Sequence, residues 1–576
     1  MPLDTVQFLS WFSGVQPFLI LTSIYILTWH KLLSNKHEFL IDDDLGIGQF
    51  SDKWRPEGKN PDGTTYNELL VDYVNHEVGK DKDGKPVIEG IKNLSYNKTL
   101  GFPGAFMRWH RLHIGKQYKV IGKNVKGHDV YGWVQSPLRH HLWSLLWHGL
   151  SLVLGYRFLD YHFGPEVAFP AILLYSIHPI ISQCVAWISG INYLYCLSFL
   201  FANYNVLQIG LTYHWTIPLT VLFTALSSMS LLVGCFNFAI LWVLGYHWEA
   251  FSALLVGGAV FLRDGLTVVS YRRAEFKKQN MTSTLNPNIR KPIIMLKTLW
   301  YYICLITIPK SLGLYHEWGY HYGRKDEFPT FMFWAGLLSV IGLGAGFYYG
   351  NDLIRLCVVW FLAYFLVFSN FFTANQFVVE RYAFIPSFAF CVLFGWLVYP
   401  YKPLFWFLIG LYAMRSIMHV WTFKTHINFY QSNALNFPHS EVAMGNLGCA
   451  YQNRGMSGSA YDAWVEATKI NPFYDVPWYN MASIVKGLGD LEKAREYLGK
   501  CLNAEVVHFK DTWAKEMQEL DSAILKKQCF ESLNQEMNVA VNSSNFVAVS
   551  EIKRKMDILM KPETKVSLAP VVKAPT

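Results

Sequence analysis

Between residues 142 and 421 the chain is a succession of apolar runs separated by short polar breaks. Such runs must lie in lipid or in a protein core, and this constrains the fold more than any motif does. Composition decides for lipid. Of the 576 residues, 52% are apolar and 16% aromatic, against 16% charged, which is too few charges to cover a soluble protein of this size. The flanking stretches are ordinary and polar, so the chain divides into a membrane part and extramembrane parts.

One further apolar run precedes that block, at residues 8–29. About twenty-two residues rising 1.5 Å each are enough to cross a hydrocarbon core of roughly 30 Å. His30 and Lys31 follow with no small-residue cleavage site, the pattern of a retained signal anchor. Residues 31–140 read as a polar loop, punctuated by Asn60-Pro61-Asp62-Gly63 and Lys82-Asp83-Gly84-Lys85-Pro86. Further candidate spans fall at 142–158, 168–177, 187–201, 216–230, 232–246, 293–312, 331–349, 353–372, 384–398 and 404–421, with 250–262 half-crossing or interfacial. The total is about 10–11 spans. The loop from Arg263 to Lys297 carries Arg272, Arg273, Lys277, Lys278, Arg290 and Lys291 between its ends, against Asp264 and Glu275. The positive-inside tendency places it in the cytoplasm. Counting outward, the loop at 31–140 and everything after 421 fall on the non-cytoplasmic side.

After the last span a repeat emerges. Asn446 recurs 34 residues on as Asn480, Leu447 as Met481, Gly455 as Gly489 and Ala460 as Ala494, the period and small-residue pattern of a tetratricopeptide repeat (TPR). Small residues let two antiparallel helices approach closely, and Gly relieves the turn. Two copies need a cap, which the helical stretch at 506–559 supplies. The expected fold is therefore all-α. A polytopic membrane helix bundle occupies 1–30 and 141–425, a non-cytoplasmic loop 31–140, TPR hairpins 426–505, and capping helices with a tail 506–576.

Chemistry is to be sought where ionisable groups meet the membrane, because such groups are costly there. Asp42, Asp43 and Asp44 lie a dozen residues past the first span. Three adjacent carboxylates repel one another, so they suit a general base or a shared divalent cation, and equally a solvated acidic turn. His178-Pro179 interrupts an apolar helical pair, leaving a histidine at a helix end where it reaches a phosphate or hydroxyl, or packs as a satisfied core residue. Glu380-Arg381-Tyr382 heads a span. Its Arg suits bidentate phosphate binding, or forms a structural pair with Glu380.

In this order, and followed by the repeats, these segments resemble a known family. The residues that carry the resemblance are the acidic pair Asp42-Asp43, the stretch from His141 to His148, His178-Pro179 through Val185-Ala186-Trp187, Pro309 with Leu312, Glu380-Arg381-Tyr382 with Ile385-Pro386-Ser387, and the repeats. The chain is similar to the transmembrane and tetratricopeptide-repeat containing proteins and their bacterial relatives, multi-spanning glycosyltransferases of the GT-C superfamily. The resemblance implies transfer of a sugar, typically mannose, from a polyprenyl or dolichyl phosphate carrier to a protein hydroxyl on the lumenal or periplasmic side. The membrane would be that of the endoplasmic reticulum or the bacterial inner membrane. It makes Asp42 and Asp43 the expected catalytic residues, and His178, Glu380, Arg381 and His148 the expected substrate-binding residues. Asp42 and Asp44 are the expected ligands if a divalent cation takes part. A lipid-linked donor and a protein held through the TPRs are the expected partners. Gln183, Ile191 and Asn192 stand where the family carries charged residues, as a catalytically degenerate structural or assembly subunit would have it.

Other classes fit less well. The net charge of +8 is scattered among loops with no basic stripe, which speaks against nucleic acid. Nine cysteines without a CxxC pair suggest neither zinc nor a disulfide framework. No internal symmetry of membrane segments suggests a transporter. His316 and His321 in His316-Glu317-Trp318-Gly319-Tyr320-His321 are one residue too far apart for a metalloprotease helix, whose two His stand at i and i+4. The sequons at Asn93 and Asn97 fit a translocated loop.

Overall fold

The computed structural model describes residues 15–33, 136–266, 287–314, 329–370, 378–504 and 510–559, residues 114 and 316, and six short strands between 77 and 326. Two compact units are present, one ending at Phe429 and the other built mainly from Tyr430 onward.

The first unit is a bundle of helices: α1 (Val15–Trp29), α2 (Pro137–Phe163), α3 (Pro165–Ile177), α4 (Ser182–Ala186), α5 (Ile191–Gln208), α6 (Tyr213–Ser230), α7 (Asn237–Val243), α8 (His247–Val260), α9 (Pro287–Thr307), α10 (Phe331–Tyr349), α11 (Asp352–Phe365), α12 (Ser387–Val398) and α13 (Lys402–Thr422). Among the described residues, α10 and α13 are long and apolar enough to cross a membrane. A third crossing is added if α3 and the following turn with α4, which bend by 52° at their break, count as one. That break falls at His178-Pro179. Pro179 cannot donate a backbone hydrogen bond, and the His178 side chain caps the next turn by accepting from Ile180 N–H. The apolar run at 232–246 also breaks, into a 3₁₀ turn at Leu232–Phe236 and α7.

Small residues set the close crossings. A Cβ on Gly395 of α12 would come within 3.0 Å of the α3 backbone at Ala171, so glycine is what allows these helices to touch. Inside, Trp360, Phe201 and Phe388 pack with ring centroids 4.9–5.6 Å apart. Beside them the Tyr204 hydroxyl donates to Asn237, whose amide donates to Thr224.

After α14 (His426–Asn436), at the start of the second unit, helical hairpins pair α15 (Glu441–Asn453) with α16 (Ser457–Ile470), α17 (Asp475–Gly487) with α18 (Leu491–Leu502), and α19 (Lys510–Asn542) with α20 (Phe546–Leu559). Its turns repeat at the sequence interval. Gly455 and Gly489 both hold positive φ, at 75° and 86°. Met456 N–H reaches Tyr451 carbonyl just as Asp490 N–H reaches Val485 carbonyl, the same left-handed C-cap twice. Gly448 lies against the Trp464 indole, which donates to Gly445 carbonyl at 3.0 Å.

The fold is helical, as the sequence implies, with one difference in the loops. Three antiparallel two-stranded hairpins join β1 (Glu77–Lys80) to β2 (Pro86–Ile88), β3 (Lys116–Lys123) to β4 (Asp129–Gln135), and β5 (Gly319–His321) to β6 (Arg324–Asp326). The β3–β4 register sets Tyr118 opposite Trp133 and Val120 opposite Tyr131. This period-two pattern lay in a segment whose polarity suggested a plain loop.

Candidate functional site

Residues 378–386 lie outside the α-helices of the first unit, and buried aromatic side chains bond their backbone. The Tyr302 hydroxyl of α9 donates to Val379 carbonyl and accepts from Val379 N–H, both at 3.0 Å. Tyr175 of α3 donates to Phe384 carbonyl at 3.0 Å, and the Trp360 indole of α11 to Ile385 carbonyl at 2.8 Å. Irregular backbone inside a helical bundle is tolerated where protein groups pair with it in this way. The result is a 3₁₀ turn, Glu380–Ala383, held in a fixed position.

Glu380 is fully buried, and its Oε2 accepts from His419 Nε2 of α13 at 2.9 Å, a histidine that is itself 2% exposed. Among the described residues Glu380 Oε1 and His419 Nδ1 have no hydrogen-bond partner. A buried pair of this kind is costly to break, because the survivor keeps its desolvation without its partner. His419→Ala is expected to destabilise the detergent-solubilised protein by about 3–5 kcal/mol. Glu380→Ala/His419→Ala should cost clearly less than the two single losses added together. Additive losses in the unfolding midpoints would remove the pairing from the account.

Arg381 follows. Its backbone N–H donates to Gln183 Oε1 of α4 at 2.8 Å. The guanidinium lies 4.9 Å from the Trp187 ring centroid and 5.4 Å from that of Tyr382, within the range of cation–π attraction. Tyr382 in turn stacks on Phe368 at 4.3 Å, nearly parallel. Two sequence-distant segments thus meet here, Gln183 through Trp187 and Glu380 through Tyr382. A planar cation fixed at its backbone and flanked by aromatic faces is suited to grip an oxyanion.

His178 and His148 are placed differently. His178 Nδ1 accepts from Ile180 N–H at 3.2 Å, so Nε2 carries the proton and donates to Ile306 carbonyl at 2.9 Å. Both nitrogens are committed to backbone, and the ring acts as a cap and a strut between α3 and α9. The turn that it caps packs on the Glu380–Ala383 turn. His148 of α2 is buried between Tyr25 and Trp29 of α1, with centroids at 5.4 and 5.6 Å. Neither of its nitrogens has a hydrogen-bond partner among the described residues. Asp42, Asp43 and Asp44 lie outside the described residues. Among those described, no group of three or more His, Cys, Asp or Glu could hold a metal ion.

Sequence reasoning missed His419, Gln183 as a positioning group, and Tyr302. The signal for His419 was present, as an ionisable residue near the end of an otherwise apolar span. In the second unit a groove of about 770 Å³ is lined by residues including Tyr461, Trp464, Asn480, Ile484 and Lys493.

Comparison with known proteins adds a distant likeness. No family model and no solved structure matches the chain. A Caenorhabditis elegans protein named protein O-mannosyl-transferase F38B6.6 is 23% identical over 419 residues, which take in 68% of this chain and 59% of that protein. The chain thus spans less than two thirds of that relative's length.

Proposed function

We propose that the chain is a membrane glycosyltransferase of the GT-C kind, moving a sugar, mannose in the first instance, from a polyprenyl or dolichyl phosphate to a protein hydroxyl on the lumenal or periplasmic side. The observation that carries this reading is the meeting of Arg381 and the buried Glu380–His419 pair with Gln183 and Trp187. It forms a fixed cationic group in a bundle with membrane-length apolar helices. The name of the relative supports the reaction class. About 10–11 spans would accommodate the carrier tail, and the helical hairpins of the second unit, read as TPRs, would hold the acceptor in the groove beside Tyr461 and Lys493.

In this scheme Asp42 or Asp43 takes the proton of the acceptor hydroxyl. The oxygen bonds to the anomeric carbon, the bond from that carbon to the phosphate oxygen breaks, and polyprenyl phosphate leaves with its charge met by Arg381. Glu380, oriented by His419, and His148 offer acceptors to the bound donor, while His178 positions the turn beside them. A divalent cation at Asp42 and Asp44 would add charge neutralisation.

A second reading, a structural or assembly subunit, draws on Gln183 standing where the family is acidic. Yet Gln183 uses its side-chain oxygen on Arg381 N–H, a bond that an amide makes as well as a carboxylate. The test is transfer by the full-length protein in lipid vesicles, given polyprenyl-phosphate mannose and a Ser/Thr-containing peptide. Mannosylated peptide and released polyprenyl phosphate are expected. No transfer with any polyprenyl-phosphate sugar, together with stoichiometric co-purification of partner proteins, would establish the second reading.

A further inference from the structure

We propose that the Trp187 indole N–H holds a phosphate oxygen of the lipid-linked donor while the second carboxylate oxygen of Glu380 takes a hydroxyl of its sugar, so that the phosphate lies towards α4 and the sugar towards α13. Trp187 stands between α4 and the 3₁₀ turn Ile188–Gly190, with an extended ψ of 119°. A Cβ on Gly190 would come within 2.9 Å of the Cys184 backbone, so the turn folds back tightly on α4 and fixes Trp187 in place. The residue is 5% exposed, and its Nε1 has no hydrogen-bond partner among the described residues. Buried polar atoms are nearly always paired, so an indole N–H left unpaired beside a tight turn calls for a ligand.

Chemistry decides which part of the donor meets which group. An indole N–H only donates, and the Arg381 guanidinium lies 4.9 Å from the ring centroid, so this edge suits an anionic oxygen. Glu380 is fully buried, with Oε2 held by His419 of α13 at 2.9 Å and Oε1 without a partner among the described residues. A carboxylate only accepts and repels a phosphate, so Oε1 suits a hydroxyl. The two groups are brought to one place by the bond from Arg381 N–H to Gln183 Oε1, one residue after Glu380 and four before Trp187. A phosphate-linked sugar offers both partners in one molecule, an anionic oxygen and a hydroxyl.

The inference rests on reading this segment as a donor site, but its test needs no turnover. Full-length protein in non-denaturing detergent is titrated with polyprenyl phosphate and, separately, with polyprenol of the same length, and bound lipid is followed by native mass spectrometry. The wild type is expected to retain polyprenyl phosphate more tightly than polyprenol. Trp187→benzothienylalanine keeps the bicyclic ring and replaces its N–H by sulfur. It should weaken polyprenyl phosphate roughly 10-fold and leave polyprenol unchanged, and Trp187→Phe should do the same. Glu380→Gln should keep polyprenyl phosphate binding and lose the added affinity of the mannosyl form; full retention of that affinity would remove Glu380 from the site. Unaltered polyprenyl phosphate binding in both Trp187 variants, or equal loss of phosphate and alcohol, would overturn the site, and displacement by millimolar inorganic phosphate would overturn its assignment to a lipid carrier. A wild type that prefers the phosphate yet transfers no sugar leaves the site standing and removes the proposed reaction.

Discussion

Asp42→Asn and Asp43→Asn are each expected to reduce sugar transfer to background, and Arg381→Ala to lower it roughly 100- to 1,000-fold, with insertion and folding unchanged. A positioned general base contributes about 10²–10⁴ in rate. A preorganised donor aimed at developing charge contributes about 10²–10³ when removed singly. In the proposed reaction Arg381 would belong to the second class, because its backbone is tied to Gln183 at 2.8 Å and its guanidinium is flanked by Trp187 and Tyr382, so little reorganisation would accompany transfer. Arg381→Lys keeps the charge but loses the planar fork, and should fall between wild type and Ala.

Gln183→Glu separates the two functional readings. If Gln183 only holds Arg381 N–H, the variant keeps that bond and transfers sugar at close to the wild-type rate. If the glutamine marks lost catalysis, the wild type is silent and the variant gains transfer. Full activity in both Asp42→Asn and Asp43→Asn would rule out a base in that segment. The readout in every case is release of polyprenyl phosphate matched to mannosylated peptide.

The sequence carried the helical, membrane-type character of the first unit because lipid exposure leaves a record in every residue of a span: Leu338 and Trp334 of α10 remain exposed in the folded bundle. The paired helices of the second unit were legible through a period of 34 residues, since the same turn geometry demands the same glycine at 455 and 489. What hydropathy could not record was where backbone polar groups find partners. The interruption at 232–236, the strands β3 and β4, and the double commitment of His178 to Ile180 and Ile306 depend on hydrogen bonds to main chain, which any residue can supply. The site shows the same division. Glu380 and Arg381 were visible as charges at the head of a span, whereas His419 pairs with Glu380 across 39 residues, and a lone histidine in an apolar run does not name its partner.

Cysteines placed at Thr64 and Ser457 are expected to react with a membrane-impermeant thiol reagent from the same side of intact oriented vesicles. Lys31, just past the end of α1, lies 5.3 Å from the Trp421 ring in the last turn of α13. The polar loop that follows α1 and the chain that follows α13 therefore leave the bundle at one end. Ser457 is exposed on its helix, so a cysteine there is accessible. The native thiols must not confuse the result. Cys529 is exposed and is replaced by Ser, while Cys449 and Cys501 are buried, with burial pushing the Cys501 thiol well above its ordinary pKa and out of reach of the reagent. A shared compartment would let the helical hairpins hold an acceptor near the acidic segment and raise its effective concentration there without any new catalytic contact. Labelling of the two cysteines from opposite sides would refute both the common exit and the acceptor-holding role of the second unit.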